Sequence, residues 1–104
     1  MKVQSTDQLP VYEVSGKELR IHFNAAQITK DGMDGPESYW QADEALCNVA
    51  DTRNALIEKI IACRYSMAAE LATINNQATD QAAYDAYQAF RVEAKALADG
   101  WLNQ

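Results

Sequence analysis

The chain has 104 residues, a formal net charge of −6, and 48% apolar residues, of which alanine supplies a large share. That leaves enough larger apolar side chains for one modest core. The acidic balance disfavours wrapping a nucleic-acid backbone. No apolar run reaches the roughly 18–20 residues that a membrane-spanning helix needs, so membrane insertion is disfavoured too.

In chain order, residues 1–10 (MKVQSTDQLP) are polar, end in a proline, and read as a flexible lead-in. Nothing in them resembles the basic and then apolar order of a secretory leader. Val11 to Val14 form a short strand candidate closed by the turn signal Ser15-Gly16. Leu19, Ile21, Phe23 and Ala25 then alternate with Arg20, His22 and Asn24, a period of two that sends one face to the core and the other to water. On that alternation His22 is a solvated surface residue. Ile28 falls off the pattern, which predicts a bulge or the end of the strand near Ala26.

The segment Lys30 to Pro36 (KDGMDGP) has hairpin-loop composition. It does not supply the oxygens of a calcium loop, because Met33 stands at the third position from Asp31 and Ala42 at the twelfth. Tyr39 to Leu46 returns as a third strand with Tyr39 and Trp40 on opposite faces. Asp43 and Glu44 likewise point opposite ways and cannot act as an acid/base pair. They read as edge-strand charges that discourage unwanted pairing.

All four glycines and both prolines lie at positions 10, 16, 32, 35, 36 and 100, while 14 of the 18 alanines lie from Ala50 onward. The first third is therefore turn-rich, the remainder can be continuous regular structure, and the alanines favour helix from residue 50 onward. The shift near residue 50 reads as an element boundary within a single α+β domain spanning residues 11–104.

Asp51 or Thr52 is a helix N-cap for a stripe of Leu56, Ile57, Ile60 and Ile61, with the helix stopping near Tyr65. Ser66 caps a second helix that Asn75-Asn76 closes, since asparagine tolerates the left-handed conformation. Thr79 and Asp80 open a third, in which Ala83, Tyr87, Phe90, Ala94, Leu97 and Trp101 recur at spacings of 3 and 4. Gly100 is expected to fray its end and leave Trp101 beyond it. The fold class is thus α+β, a three-stranded antiparallel meander followed by three helices, the last one long.

Cys47 and Cys63 are the only cysteines, and His22 is the only histidine. Two free thiols in a reducing cytosol is the first reading and a single disulfide the second. One histidine is too few to complete a zinc site with them. No nucleophile motif, phosphate-binding glycine loop or metal motif is present, so no catalytic residue, cofactor, metal or small-molecule substrate is expected. The candidate interaction residues are Tyr84, Tyr87, Phe90, Arg91, Leu97 and Trp101. Their spacing suits either packing into the core or a helix–helix seam with another chain. A helix this long has room to dock by its first half and project its second. Arg91 is expected to pair with Glu70.

Tyr39-Trp40-Gln41-Ala42-Asp43-Glu44-Ala45, Thr52-Arg53-Asn54-Ala55-Leu56-Ile57, Arg64-Tyr65-Ser66, Glu70-Leu71-Ala72, Ile74-Asn75-Asn76 and the spacing of Tyr84, Tyr87, Arg91 and Ala94-Lys95 carry a resemblance. Over residues 39–98 the chain resembles small proteins encoded by tailed bacteriophages and prophages close to tail or tail-fibre genes, a group with no established active site. The resemblance implies a non-enzymatic tail-associated structural or assembly factor. Such a factor would work through a protein partner or self-association, in the cytoplasm of the bacterial host or on the virion. The alternative is a small acidic phage effector that binds and inhibits a host defence protein.

Overall fold

The computed structural model of the chain describes residues 2–33 and 35–104. It divides into two compact units, one ending at Val49 and the other beginning at Ala50, which is where the composition shifts. The chain is α+β, with a four-stranded antiparallel sheet and three helices.

The first unit holds strands β1 (Lys2–Ser5), β2 (Tyr12–Ser15), β3 (Glu18–Gly32) and β4 (Gly35–Asn48), in the spatial order β1-β4-β3-β2. The expected meander of β2, β3 and β4 is present. The supposed lead-in adds a fourth strand, because Lys2 to Ser5 pair in register with Asp43 to Trp40. Three polar residues and Val3 can do this because edge pairing is mostly a matter of main-chain hydrogen bonds. β4 is therefore an interior strand, and Asp43 and Glu44 are not the edge charges that the sequence suggested.

β3 and β4 also run further than their apolar alternation does. They stay paired to Gly32 and Gly35, so most of the expected loop from Lys30 to Pro36 is ladder. Of that loop Met33 is the turn residue described, and Asp34 lies outside the described residues. Gly35 sits at φ +116°, a conformation that side-chain-bearing residues rarely adopt, and Gly16 at φ +62° serves the turn between β2 and β3 in the same way.

The sequence-level break at Ile28 is a β-bulge. The register steps from Phe23↔Asp43 to Ala26↔Gln41, so Asn24 and Ala25 together oppose Ala42 alone. Asn24 takes the left-handed conformation at φ 54°. The extra residue resets parity and returns Ile28 to the face of Leu19, Ile21 and Phe23, which are buried. Ala25, expected on that face, is exposed in the bulge. Tyr39 and Trp40 do lie on opposite faces.

The second unit holds α1 (Arg53–Ala62), α2 (Met67–Asn75) and α3 (Gln81–Leu102). Each begins where a side-chain oxygen meets an orphan backbone N–H three residues on: Thr52 takes Ala55, Ser66 takes Ala69 and Asp80 takes Ala83. α1 buries the expected Leu56, Ile57, Ile60 and Ile61.

Two helix ends differ from expectation. Asn76 closes α2 at φ −98°, outside the left-handed region. Nor does Gly100 break α3, which continues through Trp101 to Leu102. One glycine costs only about 1 kcal/mol against alanine. Arg53 near the start of α1 meets Asp99 near the end of α3, and Arg64 past the end of α1 stacks on Phe90. The two helices therefore run antiparallel.

Candidate functional site

The structure divides the six candidate interaction residues between inside and rim. Tyr87 and Phe90 are each 3% exposed, and Tyr84, Arg91, Leu97 and Trp101 are half-buried. The Tyr65 ring meets Tyr87 edge-on at 5.0 Å between centroids and lies 6.0 Å from Phe90, and the Arg64 guanidinium also stands over Phe90 at 4.3 Å. These rings are occupied in packing within the helical unit. The buried positions of α3 are Tyr87, Phe90, Ala94 and Ala98, so its second half is covered as well as its first and does not project.

Arg91 does not pair directly with Glu70. Its guanidinium stands 5.8 Å from the centre of the Tyr87 ring, and Glu70 acts on the hydroxyl of the same tyrosine. Burial, and then the negative charge of Glu70, push the Tyr87 phenol above its ordinary pKa, while the Arg91 charge works the other way. At the far end of the same helix pair, Arg53 donates to both oxygens of Asp99, at 2.6 and 3.2 Å. This contact holds the Asp99 carboxyl below its ordinary value.

The site that periodicity did not single out is on α2. That helix buries no residue, yet Met67, Leu71 and Ile74 stand 78%, 56% and 43% exposed at i, i+4 and i+7. This spacing aligns three large apolar side chains on one face. Two hollows border the stripe. One of about 430 Å³ lies among Arg53, Ile57, Ile74, Tyr87, Arg91 and Lys95, and one of about 340 Å³ among Ala62, Tyr65 and Met67. Both are also lined by Glu58, Ile61 and Glu70. A further open hollow of about 630 Å³ lies on the sheet unit beside Lys30, Glu37 and Tyr39, with Lys30 set 5.7 Å from the tyrosine ring.

Compared with known proteins, the chain stands apart. No protein-family model, curated protein or solved structure matches it.

His22 is the clearest departure from expectation, being 3% exposed where alternation made it a surface residue. The reason is the strand order. With β1 and β2 on opposite edges of the sheet, residues 6–11 must cross from one to the other. They do so over the face that carries His22 and Glu44. Three strand spacings are about 14 Å, and the five-residue offset from Trp40 to Ala45 adds about 17 Å along the strands. The span is therefore about 22 Å, within the roughly 23–25 Å that the seven residue steps from Ser5 to Tyr12 can reach.

The Pro10 carbonyl accepts from His22 Nδ1 at 2.7 Å, and Nε2 lies 2.9 Å from Glu44 Oε2. Since a carbonyl can only accept, Nδ1 carries a proton, and Nε2 and the carboxylate hold another between them. His22 and Glu44 are direct cross-strand partners. Enclosed in this way, the pair ties the crossing segment to the sheet.

Among the described residues, no group of three or more His, Cys, Asp or Glu side chains is placed to hold a metal ion, and no helix is long and apolar enough to cross a membrane. Cys47 is buried, Cys63 is half-buried with its thiol directed at the Lys59 carbonyl, and neither is in a disulfide among the described residues.

Proposed function

We propose that the chain works by binding another protein and is not an enzyme, and that its setting is the one its resemblance implies, a tail-associated structural or assembly factor of a tailed phage. The observation that carries the protein-binding part is α2. A nine-residue helix with no buried residue and three aligned large apolar side chains in water is what a helix looks like before its partner arrives. Its nine residues would be marginal as an isolated helix, so packing must supply much of its stability. The enclosure of the His22–Glu44 pair supports the non-enzymatic reading, because neither group is presented to a substrate.

The effector alternative draws no comparable support. Glu18, Asp51 and Asp99 are each paired with a basic side chain (Arg20, Lys59 and Arg53), so these acids are not gathered for a basic partner.

The test is affinity purification of the tagged chain from phage-producing cells. Wild type is expected to retain a virion structural protein that Leu71→Asp loses, with both forms equally folded by circular dichroism. A strictly monomeric wild type that retains no virion protein would overturn the reading.

A further inference from the structure

The segment that crosses the sheet is held at its end by His22. The Val11 carbonyl accepts from the His22 backbone N–H at 2.7 Å, and the Pro10 carbonyl accepts from Nδ1 of the same residue, also at 2.7 Å. The Pro10 contact depends on how many protons the His22–Glu44 pair carries. With two, one sits on Nδ1 and the other lies between Nε2 and Oε2, so both ring contacts are made. With three, the imidazolium still donates from both nitrogens and the neutral carboxyl still accepts. With one, a neutral ring has a single N–H for two acceptors, and the contact left without it sets lone pair against lone pair. The carboxylate has the stronger claim, since a charge-assisted hydrogen bond is roughly twice as strong as a neutral one. Glu44 is also fixed as the ladder partner of His22, whereas Pro10 lies outside any strand. The remaining proton therefore goes to Nε2, and Nδ1 turns a bare nitrogen toward the Pro10 oxygen.

The charged groups nearest the pair on this face of the sheet are Glu18 and Arg20 on β3 and Glu13 on β2, with Asp7 in the crossing segment. β1 adds no charge to the face, and β4 adds only Glu44. Arg20 is paired with Glu18 at 3.3 Å, and Asp7, Glu13 and Glu18 are exposed, so water and salt damp their fields. They set the pH at which the proton leaves and not which contact it leaves.

We infer that residues 6–11 are a proton-held strap, which lies on the sheet while the His22–Glu44 pair carries two protons and lifts when a rise in pH leaves it with one. On β4 the face it crosses carries Trp40, Ala42, Glu44 and Leu46 in alternation. Ala42 is 2% exposed and Leu46 50%, so lifting the strap extends an apolar surface that is already partly open. The device is separate from α2 and goes beyond the protein-binding reading.

The test is NMR on the full isotope-labelled chain, titrated from mildly acid to alkaline pH. His22 is the only histidine, so the two ring nitrogen shifts report on the pair directly. The amide shifts of residues 6–9 and 11 report on the strap, as does exchange protection of the His22 amide, corrected for the intrinsic effect of pH on exchange. The proton is expected to leave Nδ1, with Nε2 still protonated. In the same step the strap amides should shift and the His22 amide should lose about tenfold in protection, the scale of one hydrogen bond. Glu44→Gln separates this from a general effect of pH. Its side-chain amide can turn an N–H toward a bare Nε2, so a singly protonated ring keeps Nδ1–H on Pro10 and the strap should stay down while the ring titrates.

Loss of the proton from Nε2 instead overturns the inference, as does a strap that stays protected once Nδ1 is bare. So does a strap unprotected at every pH, one that lifts equally in Glu44→Gln, or a pair that keeps both protons until the whole chain unfolds. The wild-type titration decides by itself if Glu44→Gln does not fold.

Discussion

Replacing His22 by phenylalanine tests whether the buried imidazole holds the sheet unit together. The new ring keeps most of the volume but can neither donate to the Pro10 carbonyl nor meet the Glu44 carboxylate, contacts now made at 2.7 and 2.9 Å. Glu44 is itself only 8% exposed, so water does not readily replace the lost partner. Removing one member of such a buried pair costs about 3–5 kcal/mol, a large part of the roughly 5–15 kcal/mol that holds a typical domain. Glu44→Leu alone should cost a similar amount. The double variant His22→Phe/Glu44→Leu should lose less than the two single losses added together, with a coupling of about 1–3 kcal/mol, because nothing charged is then left enclosed.

Urea titration followed by tryptophan fluorescence in a Trp101→Phe background measures this. Trp40 is then the only tryptophan, and it lies in β4 of the sheet unit. Amide exchange across residues 6–11 should quicken in His22→Phe, since the crossing segment loses its anchor. A loss under about 1 kcal/mol with no coupling, the range of exposed pairs, would refute the clasp.

Three further outcomes follow from local geometry. Asn24→Gly should be neutral or stabilising and Asn24→Val should cost about 1–2 kcal/mol in chemical denaturation, because only the former accepts φ 54° without strain. Ser66→Ala should cost about 1 kcal/mol, and amide exchange should show the loss concentrated in α2, which has no buried side chain to hold it. Asp99→Asn should lower stability near neutral pH and flatten the acid limb of the unfolding curve. A carboxyl held below its ordinary value of 3.8 stabilises the fold above that pH and loses its contribution as pH falls through the depressed value. The wild-type advantage should therefore vanish in strong acid.

The apolar patterns were legible where period and composition agreed. The α1 stripe, the three N-caps and the opposed faces of Tyr39 and Trp40 needed only local chemistry. The bulge was legible as an interruption, because Ile28 broke parity. Its position two residues earlier, at Asn24, depended on which side chain tolerates a left-handed backbone. β1 could not be read at all. Lys2 to Ser5 carry no apolar alternation, and what makes them a strand is a vacant row of main-chain groups on β4, far away in sequence. The burial of His22 follows from the same fact, since a crossing segment exists only if a strand lies on the far edge. One missed edge strand therefore accounts for three misreadings: the flexible lead-in, the exposed histidine and the edge role of Glu44.

The site was misplaced for a different reason. Periodicity states that a helix has an apolar face and says nothing of what covers it. α3 had the strongest repeat and so drew attention, but a long repeat is also the one most readily satisfied inside the molecule. Arg53, Arg64 and Tyr65 bind it along its length, and Tyr87 and Phe90 are occupied there. On α2 the repeat is three residues long and diluted by alanines, so Met67, Leu71 and Ile74 do not stand out as a stripe in the sequence. The available clue was negative: too few large apolar residues for α2 to pack on two sides, and three of them on one. In a chain this small, the short helix with a modest stripe is the better place to look for a partner, because the long one has already been used to build the core.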